Sequence, residues 1–183
     1  MNSKLRALAI CCLFLFSTTV MTAASSCVRA IDFRNFSYPD SPVAGKPPSE
    51  TILRDGSHHC QSDPGGKSGV FLRSVTYDDL MGDNEKAIVV LYNWGGGNTF
   101  SLIVYIYGCK DGSPTLLFMN EYAEARSIRV RHHKLVVAAP SWNWDDPHCC
   151  PSYMVTYYIA YGGSSNSSFH ITKETKKRLR KPY

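Results

Sequence analysis

The densest cluster of side chains able to do chemistry is Ser141-Trp-Asn-Trp-Asp-Asp-Pro-His-Cys-Cys-Pro-Ser152. Trp142 and Trp144 stand two residues apart, so an extended backbone turns both indoles to one face. With Asn143, Asp145 and Asp146 beside them they could form a stacking platform with acceptors for a sugar. Trp142, Trp144, Asp145 and Asp146 are therefore the candidate ligand-binding residues. With carboxylates such as Asp145 or Asp146 beside the tryptophans, the segment could serve a glycan hydrolase, which requires carboxyl groups about 5 to 9.5 Å apart across a cleft. The competing expectation is structural, with both indoles packed over the loop.

Cysteine and histidine supply a second candidate chemistry. His58, His59 and Cys60 form one group, and His148, Cys149 and Cys150 another. Imidazole with thiolate suits zinc or copper, but the spacing matches no standard ligand set, and sulfur held in a disulfide cannot bind as thiolate. We therefore assign no metal and no cofactor. The acidic stretch Asp78-Asp-Leu-Met-Gly-Asp-Asn-Glu85 collects oxygen ligands around a glycine without the Asp-x-Asp-x-Asp-Gly order of a calcium loop, and reads as a solvated hairpin turn. Gly66-Lys67-Ser68 resembles the end of a phosphate-binding loop, yet position 61 is Gln where glycine is needed. The Gly-x-Ser-x-Gly elbow of many esterases is absent. We assign no catalytic residues.

The ends of the chain show what compartment these residues meet. Lys4 and Arg6 precede an apolar run over positions 7 to 16, and Thr22-Ala-Ala-Ser-Ser26 closes it with small residues. That order is a cleavable export signal, and the run is half of the about 20 residues needed to span a bilayer. Cys27 follows directly, a place where a diacylglycerol thioether could anchor the mature chain, although Ala24 stands where a lipobox usually has Leu. The net charge of +5 comes from the ends. Without the cations of the signal and of the tail from Lys173 to Tyr183, residues 27–172 are near −2. Export and this balance exclude nucleic acid as a partner, and leave membrane contact only to a lipid on Cys27 or to the basic tail, otherwise expected to be a frayed terminus.

Cys11 and Cys12 leave with the signal, so five cysteines remain in a compartment where cysteines pair. Cys149 and Cys150 are neighbours, and ordinary disulfide geometry disfavours joining them. The economical arrangement pairs Cys60 and Cys109 with Cys149 and Cys150 in either order, and leaves Cys27 free or lipidated. Asn35-Phe-Ser37 and Asn166-Ser-Ser168 are glycosylation acceptors only in a eukaryotic host.

The elements that must position these residues are strands. Residues 37–69 are dense in Pro, Gly, Ser and Asp, and read as a wrapping arm that buries little apolar surface. From Val70 onward, β-branched and aromatic runs alternate with turn signals. They predict strands near 70–77, 86–93, 99–108, 114–121, 126–131, 134–140, 152–161 and 167–172, with a tight turn at His132-His133. Short connections favour antiparallel pairing. The expectation is an all-β, antiparallel meander of about 7–8 strands forming one curved sheet, a barrel or a sandwich. The organisation is a signal over 1–26, an irregular arm over 27–69, a β domain over 70–172 and a basic tail over 173–183.

Three pieces carry a family resemblance: Asp32-Phe-Arg-Asn-Phe-Ser-Tyr-Pro39, the run Tyr77-Asp-Asp-Leu-Met-Gly-Asp-Asn-Glu-Lys-Ala-Ile-Val-Val-Leu91, and Cys149-Cys-Pro-Ser152 before an aromatic strand. In this order they resemble exported bacterial proteins related to the LppP/LprE lipoprotein family. The middle piece departs from the family's Gly-Asp-Gly-x-x-Glu-Ala form at Asn84 and Lys86. The resemblance implies a β-rich envelope or secreted domain and brings no established activity or catalytic residues. Together these readings point to a non-enzymatic exported domain that binds an envelope protein or polymer, ahead of a glycan-acting hydrolase and a metal-handling protein.

Overall fold

The computed structural model describes residues 27–40, 49–59, 68–82, 85–97, 99–162 and 168–179; the expected signal, Cys60 and Asn166 lie outside them. The described chain is all-β. A 3-10 turn over Cys27–Ala30 leads into β1 (Ser37–Pro39), β2 (Glu50–Ile52), β3 (Ser57–His59), β4 (Gly69–Asp78), β5 (Lys86–Trp94) and β6 (Phe100–Lys110). There follow β7 (Ser113–Ala123), β8 (Ser127–Arg131), β9 (Lys134–Ser141), β10 (Tyr153–Tyr161) and β11 (Phe169–Arg178). All pairings are antiparallel: a five-stranded sheet in the order β3-β4-β5-β6-β7, a four-stranded sheet in the order β11-β10-β9-β8, and a small β1-β2 ribbon. The expected meander is present, and it forms two facing sheets rather than a closed barrel.

Two connections are two-residue turns, one of them the expected His132-His133. Asp111-Gly112 and His132-His133 each place two successive residues at left-handed φ, the conformation that matches the twist of a two-residue hairpin. Asp-Gly does this with little strain. His-His is held there instead by β8–β9 pairing and by His133 Nδ1, 2.6 Å from the Asp79 carbonyl oxygen.

Alternation along β5 and β6 decides the layering. Ile88, Val90, Leu102, Val104 and Ile106 point into a core shared with Leu135, Val137, Ala139 and Ile159 of the four-stranded sheet. Each fully buried aliphatic side chain there contributes about 1.5–3 kcal/mol. Their neighbours Ala87, Val89, Leu91, Ile103, Tyr105 and Tyr107 are equally buried on the opposite face. A strand buried on both faces needs two covers.

The second cover is the N-terminal segment, which corrects the expectation of an arm that buries little. Val28, Phe33, Tyr38 and Leu53 are all at most 3% exposed and complete a second core against β5 and β6. Phe33, Phe36, Tyr38, Tyr105 and Tyr107 form a continuous set of ring contacts there. The Tyr38 hydroxyl donates to the Phe33 carbonyl at 2.7 Å, and the Tyr105 hydroxyl to the Pro39 carbonyl at 3.0 Å. Burial pushes the hydroxyls of Tyr38, Tyr105 and Tyr107 well above the ordinary phenol range. Polar clamps fix the segment at its surface: Arg29 makes a two-pronged pair with Glu85 and lies over the Tyr77 ring, and Arg34 donates to the Asp55 carbonyl.

The basic tail is corrected as well. Lys173 to Arg178 continue β11, paired with β10 across the boundary drawn at residue 173. Its side chains remain exposed, and a lysine-rich outer strand resists pairing with another chain.

Candidate functional site

The tryptophan loop after β9 is organised by one carboxylate. Asp146 Oδ2 accepts the backbone N–H groups of Asn143 and Ser152, both at 2.7 Å, and Oδ1 accepts the Ser152 hydroxyl at 2.6 Å. The bonds to Ser152 draw the far end of the loop back onto its start. Trp142 is tied down by donating Nε1–H to the His148 carbonyl at 3.1 Å, whereas the Trp144 side chain is fully exposed. Neither indole stacks on another ring among the described residues. Asp145 is exposed. The four candidates are thus close in sequence but divided in role: Trp142 and Asp146 hold the loop, while Trp144 and Asp145 face solvent.

The cysteines pair differently from the expectation. Cys27 and Cys109 form a disulfide with a Cα–Cα distance of 5.9 Å, inside the usual range for such bridges. This corrects the pairing of Cys109 with a vicinal cysteine, and it places the Cys27 sulfur in the bridge. The reason is tertiary: the 3-10 turn packs on the same face of β6 from which Tyr105, Tyr107 and Cys109 project. The sulfurs of the adjacent Cys149 and Cys150 lie side by side, at the 3.8 Å Cα–Cα spacing of any neighbouring residues. Cys60, the other expected partner of this pair, lies outside the described residues.

The remaining ligand-like groups do not converge. Among the described residues no three His, Cys, Asp or Glu side chains come together as a metal site. His58 Nδ1 lies 3.2 Å from the Ile52 carbonyl oxygen, and His59 meets the edge of Phe71. Asp79 folds back on its own turn, accepting the N–H groups of Met81 and Gly82.

A different site emerges on the outer face of the four-stranded sheet. The registers of its three ladders place Arg129 opposite Val136, Val136 opposite Tyr158, and Tyr158 opposite Lys173. These four residues form one row across all four strands. Arg131 and Lys134 face each other at the neighbouring hairpin end, beside His132. Together they line a groove of about 360 Å³ with no carboxylate in its wall among the described residues. Its floor is Val136, buried at 3% exposure, and half-buried Tyr158, with the Lys173 ammonium 5.7 Å from the Tyr158 ring centre. Arg129, Arg131, Lys134 and Lys173 are exposed and form its rim.

The groove is built by strand alternation. Arg129 and Arg131, two residues apart, share a face of β8, while Ile128 and Val130 turn inward to the core. The signal was present in sequence: Arg126 to Lys134 holds four cations and no acid. What hid it was the distance in sequence to Tyr158 and Lys173, which only the β9–β10 and β10–β11 ladders bridge. Comparison with known proteins adds no relative, since no family model, curated protein or solved structure matches this chain.

Proposed function

We propose that the protein is a non-enzymatic, exported domain of the cell envelope that binds an anionic polymer on the outer face of its four-stranded sheet. The observation that carries this is the row Arg129–Val136–Tyr158–Lys173 with Arg131 and Lys134 beside it: several cations, an apolar floor and, among the described residues, no opposing carboxylate. Such a face attracts polyanions and repels cationic partners.

Export is supported by the charged, apolar, small-residue order of the first 26 positions. It is supported too by the Cys27–Cys109 bridge, which belongs in an oxidising compartment. The resemblance to proteins related to the LppP/LprE lipoproteins points the same way, here with Cys27 in a bridge rather than on a lipid. The hydrolase alternative asks the loop for two available carboxylates. Asp146 is occupied by the loop's own donors.

The test is retention of the purified mature protein on immobilised acidic and neutral polymers of the envelope across a salt gradient. Retention on the acidic matrices alone, falling with salt and lost in the R129A/R131A variant, is the expected result. Equal retention on neutral matrices, or full retention by that variant, would overturn the reading.

A further inference from the structure

We infer that the ligand of this groove is an acidic glycan, held with a sugar ring on Tyr158 and its anionic groups between the cations of β8 and β11. The inference rests on the anionic-polymer reading above and sharpens it from charge to chemical class.

Three features of the groove favour a sugar acid over other anions. First, the cations do not converge on one point. Arg129 and Lys173 stand at opposite ends of a four-strand row, three inter-strand spacings or about 14 Å apart at the backbone. The Lys173 ammonium leans back to 5.7 Å from the Tyr158 ring centre, and the spread that remains along the row suits a short run of linked units more than a single inorganic anion. Second, the middle of the row is an aromatic and aliphatic floor. A polyanion without rings would use the ends and leave Tyr158 idle, whereas a pyranose offers an apolar C–H face to the ring and hydroxyl groups to the rim. Third, the floor is shallow and presents no exposed large aliphatic side chain. The exposed large hydrophobic residues, Ile52, Leu116, Trp144 and Ile171, lie outside the groove wall, so it lacks the apolar wedge with which a surface enters lipid.

The experiment is calorimetric titration of the purified mature protein with four probes of matched length: tri-galacturonate, its neutral methyl ester, triglutamate, and a trinucleotide of single-stranded DNA. Anionic vesicles form a fifth arm. Tri-galacturonate is expected to bind tightest, with the methyl ester and triglutamate each weaker by about tenfold or more. Tyr158→Ala should weaken tri-galacturonate by about tenfold and leave triglutamate unchanged, Tyr158→Phe should retain sugar binding, and Lys173→Ala should weaken both anions. Because Lys173 is an exposed surface residue, that variant and Tyr158→Phe remain informative if Tyr158→Ala does not fold. Triglutamate binding as tightly as tri-galacturonate overturns the glycan inference while the anionic-polymer reading stands, and so does an unaltered sugar affinity in folded Tyr158→Ala. Tighter binding of the trinucleotide or the vesicles overturns it in favour of those partners. No binding to any anion removes both readings.

Discussion

Two tyrosines in the N-terminal core make opposite demands on their hydroxyl groups. Tyr38 donates to the Phe33 carbonyl, while the Tyr107 hydroxyl is buried with no partner among the described residues. Removing a satisfied buried donor leaves an orphan acceptor, whereas removing an unsatisfied one relieves a desolvation penalty. Tyr38→Phe should therefore lower unfolding free energy by about 1 kcal/mol, and Tyr107→Phe should leave it unchanged or raise it by about 1 kcal/mol, read by urea denaturation. Asp146 belongs to the same scale. Its three charge-assisted bonds close the tryptophan loop, so Asp146→Ala should cost about 2–3 kcal/mol while Asp145→Ala, at an exposed side chain, costs little. A result in which both substitutions are equally mild would show that the loop is held by something else. Nothing in the residue type separates Asp145 from Asp146. Their difference comes from which carboxylate the turn points at its own backbone.

At the scale of elements, the disulfide joins the first described turn to the end of β6 across 82 residues of chain. Closing so long a loop stabilises by about 4–5 kcal/mol in the chain-entropy model. Cys27→Ser should lower the denaturation midpoint accordingly under non-reducing conditions, and reductant should destabilise the wild type but not the variant through this bridge. Mass spectrometry of the mature protein should find Cys27 linked to Cys109 and carrying no lipid. The strands themselves were largely legible in sequence, because β-branched runs and turn residues are local signals. Each of the eight expected strands after Val70 forms; seven have their ends within two residues of the expectation, and the last runs on to Arg178. The N-terminal cover was not legible. Its buried residues Val28, Phe33, Tyr38 and Leu53 are scattered among polar residues and prolines, without the period of a long strand, and their partners lie more than 30 residues away in β5 and β6.

For the whole molecule, burial of three phenols in one core sets a behaviour at high pH. Tyr38, Tyr105 and Tyr107 have hydroxyls raised far above the ordinary value of 10.0, chiefly by burial. The unfolded chain ionises these groups near pH 10 and the folded one does not, so their contribution is fully present below pH 10 and is lost as pH rises beyond it. Thermal melts should show stability falling steeply above pH 10, with phenolate absorbance at 295 nm appearing cooperatively with unfolding; gradual ionisation of these three in a folded chain would refute the burial. By itself, the sequence determined the all-β class, the antiparallel order of the later strands, the turns at Asp111-Gly112 and His132-His133, and the concentration of cations near the C-terminus. These follow from side-chain shape, two-residue periodicity and charge, which act over a few neighbours. Only the tertiary structure decided which cysteines meet, which face of β5 and β6 the N-terminal segment covers, and that Arg129 and Lys173 end one row with Tyr158 between them. Those outcomes depend on strand register and sheet packing, where the choice among distant partners is made by burying both faces of the central strands at once.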